Sequence, residues 1–326
     1  MKIRTPLIGL LSALSLSLSA AAVAQEPVVL KFSHEAPETA IKGKTALVFA
    51  EKVKEFSKGT MRVDVFPGAQ LIPTKDEVRS AIRGQVDIIA PQTSYYVPLD
   101  PSWDVFYQPL LFDSAKAGMD ALQGDLGREL LGNLERIGLH GLGIWHDGPG
   151  YLFTTGEPAT LPKDLEGKKI RLFPSAPLEE GVRLAGGIPV SMPGPDVYLS
   201  LQQGMIDGVI TAVTYAAPSK WYEVLKGMTR MTMFIGGYGV TINKARWNKL
   251  SDEHKDVLKR AMAAAEEWNY ERSAQNIADA EKTLGDNGVK LEDLSSEDLK
   301  KWREIVAPVY EKQPEEVRSL VKRVQG

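Results

Sequence analysis

Hydrophobic and polar residues follow two periods along the chain, and the periods take turns. Val28-Val29-Leu30-Lys31-Phe32-Ser33-His34 opens as a strand that runs into a loop. From Thr39 to Phe56 apolar residues recur at helical spacing, at Ala46, Phe49, Ala50 and Val53, until Ser57-Lys58-Gly59 ends the run. Met61 to Phe66 alternates with period two, the pattern of a half-buried strand. Asp76 to Ile82 predicts a second helix, closed by Gly84, and Val86 to Ala90 a third strand. A β-α-β-α-β order predicts a mainly parallel sheet with helices on both faces. In such sheets ligands bind beyond the carboxyl ends of the strands, here marked by His34, Pro67 and Gln92.

The pattern then repeats in a second set. After the apolar stretch Tyr107–Phe112, a helix is predicted over Ala115–Arg136 and a strand over His140–Trp145. Gly148-Pro149-Gly150 follows and predicts a change of chain direction, the first crossing between two lobes. The second set holds a strand with Arg171, a helix over Leu178–Ala185, a strand ending at Pro189-Val190, a helix over Asp196–Gln203 and a strand over Gly208–Val213. Gly236-Gly237-Tyr238-Gly239-Val240 marks the return crossing. Ser251 is a good N-cap, with Asp252 and Glu253 in the first turn, for an amphipathic helix running towards Gly285. Val257, Leu258, Ala261, Ala265 and Trp268 would share its apolar face, and its length suits a brace across both lobes. Ser295 or Ser296 caps a last helix, and Pro308 and Pro314 are expected to break up the tail.

Met1–Ala24 departs from this patterning. Lys2 and Arg4 precede an apolar, serine-rich run from Leu7 to Ala20, and Ala22-Val23-Ala24 fits the small-x-small cleavage rule. The segment therefore predicts a cleaved export signal, with Gln25 as the first mature residue. Its loss takes the formal charge from -3 to -5, which gives no electrostatic case for nucleic acid or an anionic membrane. Absence of cysteine removes disulfides, thiolate metal sites and cysteine nucleophiles from consideration. Gly43-Lys44-Thr45 ends like a phosphate loop, but Glu38 stands where the upstream glycine belongs. No Gly-x-Ser-x-Gly elbow is present. His34-Glu35 and His146-Asp147 are adjacent pairs, a poor spacing for metal ligation, and ordinary hydrogen bonding is their expected use. No catalytic residue, metal or cofactor is expected.

Candidate chemistry centres on Asp164-Leu165-Glu166-Gly167-Lys168-Lys169-Ile170-Arg171, where a polar turn runs into a strand. A guanidinium matches a carboxylate through two parallel hydrogen bonds, so a partly buried strand arginine beside a cleft makes a carboxylate clamp. The other use of such a residue is at a strand edge with its head in water.

The array Gly167-Lys168-Lys169-Ile170-Arg171, Gly186-Gly187-Ile188-Pro189-Val190 and Asp196-Val197-Tyr198-x-x-Leu201-Gln202-x-Gly204-x-x-Asp207-Gly208 resembles the DctP-type solute-binding proteins of tripartite ATP-independent periplasmic (TRAP) transporters. Leu30–His34, Gly84–Ile88, Trp221–Val224 and Trp247–Leu250 are similar to further landmarks of that family. The resemblance implies an α/β, two-lobed periplasmic binding protein fold, each lobe a mixed sheet flanked by helices, with a long brace helix spanning both. Expected boundaries are 25–148 plus 237–276 for lobe I and 149–236 plus 277–326 for lobe II. The implied function is capture of an organic acid in the periplasm and delivery to a TRAP membrane permease, with Arg171 on the family's carboxylate-pairing arginine; a binding protein that closes freely is most simply a monomer.

Two positions depart from the family pattern. Gly150 stands where members that take sialic acid or dicarboxylates often carry another arginine, and Thr211 replaces a common asparagine. Both changes remove polarity. The expected ligand is a monocarboxylate with an aromatic or hydroxylated body, contacted by Arg171, His34, Gln92, Trp145, Thr211, Tyr215 and Tyr238. The alternatives are a C4-dicarboxylate or sugar-acid binder of the same family, or a periplasmic ligand sensor or lyase on the same scaffold.

Overall fold

A computed structural model describes residues 26–112 and 114–325; the leader predicted for residues 1–24 lies outside them. The strands are β1 Val28–Ser33, β2 Met61–Phe66, β3 Ile88–Ile89, β4 Leu139–Thr154, β5 Lys169–Leu172, β6 Ile188–Ser191, β7 Gly208–Ala212, β8 Gly227–Asn243 and β9 Lys290–Asp293. They form one sheet in the order β2-β1-β3-β8-β4-β7-β5-β6, with β9 parallel against β8. Parallel pairing holds inside each half, β1 with β2 and β3, β5 with β6 and β7. The halves meet at the antiparallel pair β4/β8, so the sheet as a whole is mixed.

Gly148-Pro149-Gly150 does not turn the chain. It stays within the 16-residue β4, paired with Gly236, Ile235 and Phe234 of β8. Register shifts on either side, between His146 and Gly148 and between Gly150 and Leu152, absorb the irregularity. A bulge bends a strand without ending its ladder, and it is a position where proline is tolerated. At about 3.3 Å per residue, β4 and the 17-residue β8 each extend about 50 Å and serve both halves.

The predicted helix over Ala115–Arg136 divides at Gly124, whose extended backbone (φ -76°, ψ -159°) separates Ala115–Gln123 from Asp125–Asn133. The tail is more helical than expected: Pro308 lies inside Ser296–Glu311, and a further helix, Glu315–Gln325, follows Pro314. Pro308 falls in the last turn, so the one ladder bond that its missing N–H forgoes lies near the helix end. Ser295 caps that helix by accepting from the Asp298 amide.

The brace helix runs over Asp252–Asp286, with Ser251 Oγ accepting from the His254 amide at 3.2 Å. Val257, Leu258, Ala261, Met262 and Ala265 enter the core of the β1–β3 half, with Phe32, Phe49 and Trp145. Further along, Ala280 and Leu284 enter the core of the β7 half, with Val209, Trp221 and Met228. Trp268 is half-buried with the Arg272 guanidinium over its ring, and Asn269 takes the buried position instead. On the other face of the sheet one core runs under both halves, from Leu126 and Ile144 to Ile170, Ile210 and Trp302.

Candidate functional site

The turn before β5 is built as its sequence suggests. Asp164 Oδ2 accepts from the amides of Thr160 and Leu161, and Gly167 takes the left-handed conformation (φ +70°) before the strand begins. β5 lies between β6 and β7, with Arg171 paired to Val190 and Val209, and Arg171 is only 2 % exposed. Its Nε and Nη2 donate to the carbonyl of Met192, at 3.0 and 2.7 Å, and its ring neighbour Phe173 lies 5.3 Å away. No carboxylate pairs with it among the described residues. Burial disfavours its charged form, yet a guanidinium does not give up its proton in a protein. The fold therefore holds a buried positive charge with most of its donors uncommitted.

Those donors face a small cavity of about 30 Å³. Arg171, Phe173, Gly194, Thr211 and Tyr215 line it from the β5–β7 half; Glu35, Gln92 and Tyr95 line it from the β1–β3 half. Asp147 and Tyr238 come from the crossing strands between them. Gly194 has a spatial reason: a β-carbon there would fall 2.4 Å from the Tyr215 hydroxyl.

Five of the seven expected contact residues meet at this cavity: Arg171, Gln92, Thr211, Tyr215 and Tyr238. His34 and Trp145 are placed elsewhere. Trp145 is wholly buried between Phe32 and Phe49, with ring centroids 5.8 and 6.5 Å away, and His34 sits edge-on to Phe32 at 5.9 Å. β1 ends at Ser33, and in the bend that follows it is Glu35 that takes the cavity side where His34 was expected. Asp147 reaches the cavity from the bulge of β4 beyond Trp145. Phe173 had a readable signal, since it shares strand parity with Arg171; Tyr95, in a short 3-10 turn, had none.

The cavity wall carries unusual electrostatics. Lys42, fully buried, donates to Glu35 and to the carbonyl of Ala90 (2.7 Å), with its ammonium 4.1 Å above the Tyr238 ring. Burial, then Lys42, drives His34 down to about 3, and burial drives His146 down to about 4. The His146 ring has no hydrogen-bond partner among the described residues, and in both pairs the carboxylate carries the side-chain hydrogen bonding, Glu35 with Lys42 and Asp147 with Thr214. Thr214 Oγ1 donates to Asp147 Oδ1 at 2.6 Å, and burial pushes that carboxyl up to about 6. Glu77, buried behind Glu35, is raised well above the carboxylate range by burial and by Glu35. No cluster of three or more His, Cys, Asp or Glu suited to a metal occurs among the described residues.

Gly150 also has a spatial role. The Phe234 ring lies against it and stacks edge-to-face on Phe173 at 4.8 Å, so an aromatic wall occupies the region where the family pattern often places a second arginine.

Residues 32–316 match the model of the DctP family, bacterial extracellular solute-binding protein, family 7. The chain belongs to this family. A DctP relative from Rhodobacter capsulatus, named a C4-dicarboxylate-binding periplasmic protein, is 32% identical over 308 residues, covering 94% of this chain and 92% of the relative. Among solved structures, a TRAP periplasmic solute-binding protein from Sulfurospirillum deleyianum with bound succinate has a TM-score of 0.88 at 27% identity, covering 93% of this chain and 99% of that one. A sugar acid binding protein from Advenella mimigardefordensis in complex with galactonate has a TM-score of 0.87 at 28% identity, covering 92% and 97%. DctP proteins are TRAP solute-binding proteins of the two-lobed fold and bind organic acids rather than transform them. The chain is thus a transport binding protein and not an enzyme.

Proposed function

We propose that this chain is exported to the periplasm, binds an organic monocarboxylate between its lobes, and delivers it as a monomer to the membrane permease of a TRAP transporter. One observation carries the reading: Arg171 is buried at a cavity between the two halves and forms no ion pair among the described residues. An uncompensated buried guanidinium is costly unless an anion arrives, and a carboxylate matches its fork. The proposed lobes are 25–148 plus 237–276 and 149–236 plus 277–326, hinged where β4 and β8 pass between the halves. Only a closed form brings Arg171, Gln92 and Glu35 onto one ligand, so binding shifts an open population towards closure.

A single carboxylate is supported by the acidic groups that share the cavity, Glu35 and Asp147, and by Phe234 against Gly150. A second reading, a C4-dicarboxylate, is supported by the names of several relatives and by the succinate-bound neighbours. A thermal-shift screen of mono- and dicarboxylic acids separates them, since a ligand that binds only the folded state raises Tm. Larger shifts with hydroxylated or aromatic monocarboxylates are expected; the largest shifts with dicarboxylates would give the site to the second reading.

A further inference from the structure

We propose that the end of the ligand remote from its carboxylate carries hydroxyl groups, and that Gln92, Glu35 and Asp147 form the pole that reads them. This rests on the reading of Arg171 as the carboxylate clamp. Gln92 is 4 % exposed, lines the cavity, and has no hydrogen-bond partner for its side-chain oxygen or nitrogen among the described residues. Its backbone is pinned by a bridge to Tyr238, and the Gly239 amide donates to the adjacent Pro91 carbonyl at 3.2 Å. A buried amide left with an open donor and an open acceptor asks for a group that is both, which a hydroxyl is and a methylene is not.

Glu35 and Asp147 set the sign of that pole. Each lines the same cavity while held from behind, Glu35 by Lys42 and Asp147 by Thr214, and the Tyr238 hydroxyl lies beside Asp147. Ionised carboxylates only accept, so the partner they favour is a donor, and a second ligand carboxylate meets like charge. A ligand ammonium is disfavoured as well, because Lys42 already supplies the cation to Glu35 and would repel another. Neutral donors remain.

The test is titration calorimetry with four acids of equal chain length: butanoate, 2,3,4-trihydroxybutanoate, 4-aminobutanoate and succinate. The trihydroxy acid is expected to bind at least about a hundredfold more tightly than butanoate, because a site built to hydrogen-bond hydroxyls leaves its own groups unpaired against the bare chain. Asp147→Asn, which can still accept from Thr214, is expected to narrow that ratio by about tenfold or more, and Glu35→Gln to act the same way. Equal binding of butanoate and the trihydroxy acid overturns the proposal, as does tightest binding of 4-aminobutanoate or of succinate. Arg171→Ala separates the two layers: it should weaken all the acids together and leave the hydroxyl ratio standing. Unchanged affinity in that variant, or no binding of any acid by folded wild-type protein, would defeat the carboxylate reading and this proposal with it.

Discussion

Phe234 and Gly150 are complementary across the β4/β8 ladder: a β-carbon on Gly150 would fall 1.7 Å from Cε1 of the Phe234 ring. Backbone pairing of the two residues leaves no room for both a side chain and a ring. Gly150→Ala should therefore cost about 1–3 kcal/mol by overpacking. Phe234→Ala should cost about 3–5 kcal/mol through lost burial. In the double variant the alanine at 150 would have space, so the losses should fall short of their sum, measured by denaturant unfolding. Strict additivity would mean the two side chains do not compete.

The clamp makes opposite predictions for binding and stability. Arg171→Ala should lower the affinity for the best ligand by about 2–5 kcal/mol, some one and a half to three and a half decades, as read by calorimetry. Arg171→Met should raise the unfolding free energy of the ligand-free protein by about 1 kcal/mol or more, because it removes a buried charge that forms no ion pair among the described residues. A ligand-free variant clearly less stable than wild type would show that the guanidinium is structural instead.

Asn269 ties the brace helix to the crossing strand. Its Oδ1 accepts from the His146 amide at 2.6 Å, and its Nδ2 donates to the His146 carbonyl and to Thr45 Oγ1, both at 3.2 Å. The contact lies beside the bulge at which β4 shifts register. Asn269→Leu strands buried backbone groups and should cost about 2–5 kcal/mol, with faster hydrogen exchange at the His146 amide. Unchanged protection at that amide would contradict a latch at this point.

Asp104 gives a pH dependence with a definite sign. It is buried, takes a hydrogen bond from Ser175 at 3.2 Å, and burial pushes its carboxyl up to about 7. A folded pKa above the unfolded one means the proton is held more tightly in the native state, so stability is greatest below about pH 4 and declines as pH rises through 7. Asp104→Asn should remove that decline. Relative to wild type the variant should gain up to about 4 kcal/mol between pH 4 and pH 8, in urea unfolding at several pH values. A difference that does not vary with pH would mean Asp104 is not neutral-preferring. His34 and His146, held low by burial, act in the opposite direction below about pH 6.5, which is why the comparison is made against wild type at each pH.

The sequence by itself determined the local elements and the charge at the centre of the site. Period-two spacing placed β2, helical spacing placed the brace helix, and apolar runs beside turn residues placed β1, β5 and β7, each within a few residues. The turn ending at Gly167 placed Arg171 in a strand, and the family resemblance gave it a carboxylate partner. Tertiary structure alone decided three matters. It carried Gly148-Pro149-Gly150 straight through as a bulged strand, since pairing with β8 overrides a local turn preference. It exchanged His34 and Trp145 for Glu35 and Asp147 at the cavity, because side-chain direction there depends on the bend after β1 and on the bulge in β4. It set Phe234 against Gly150, a contact 84 residues away along the chain that no local pattern encodes. The identity of a binding pole is a property of converging strand ends, and convergence exists only once the sheet has formed.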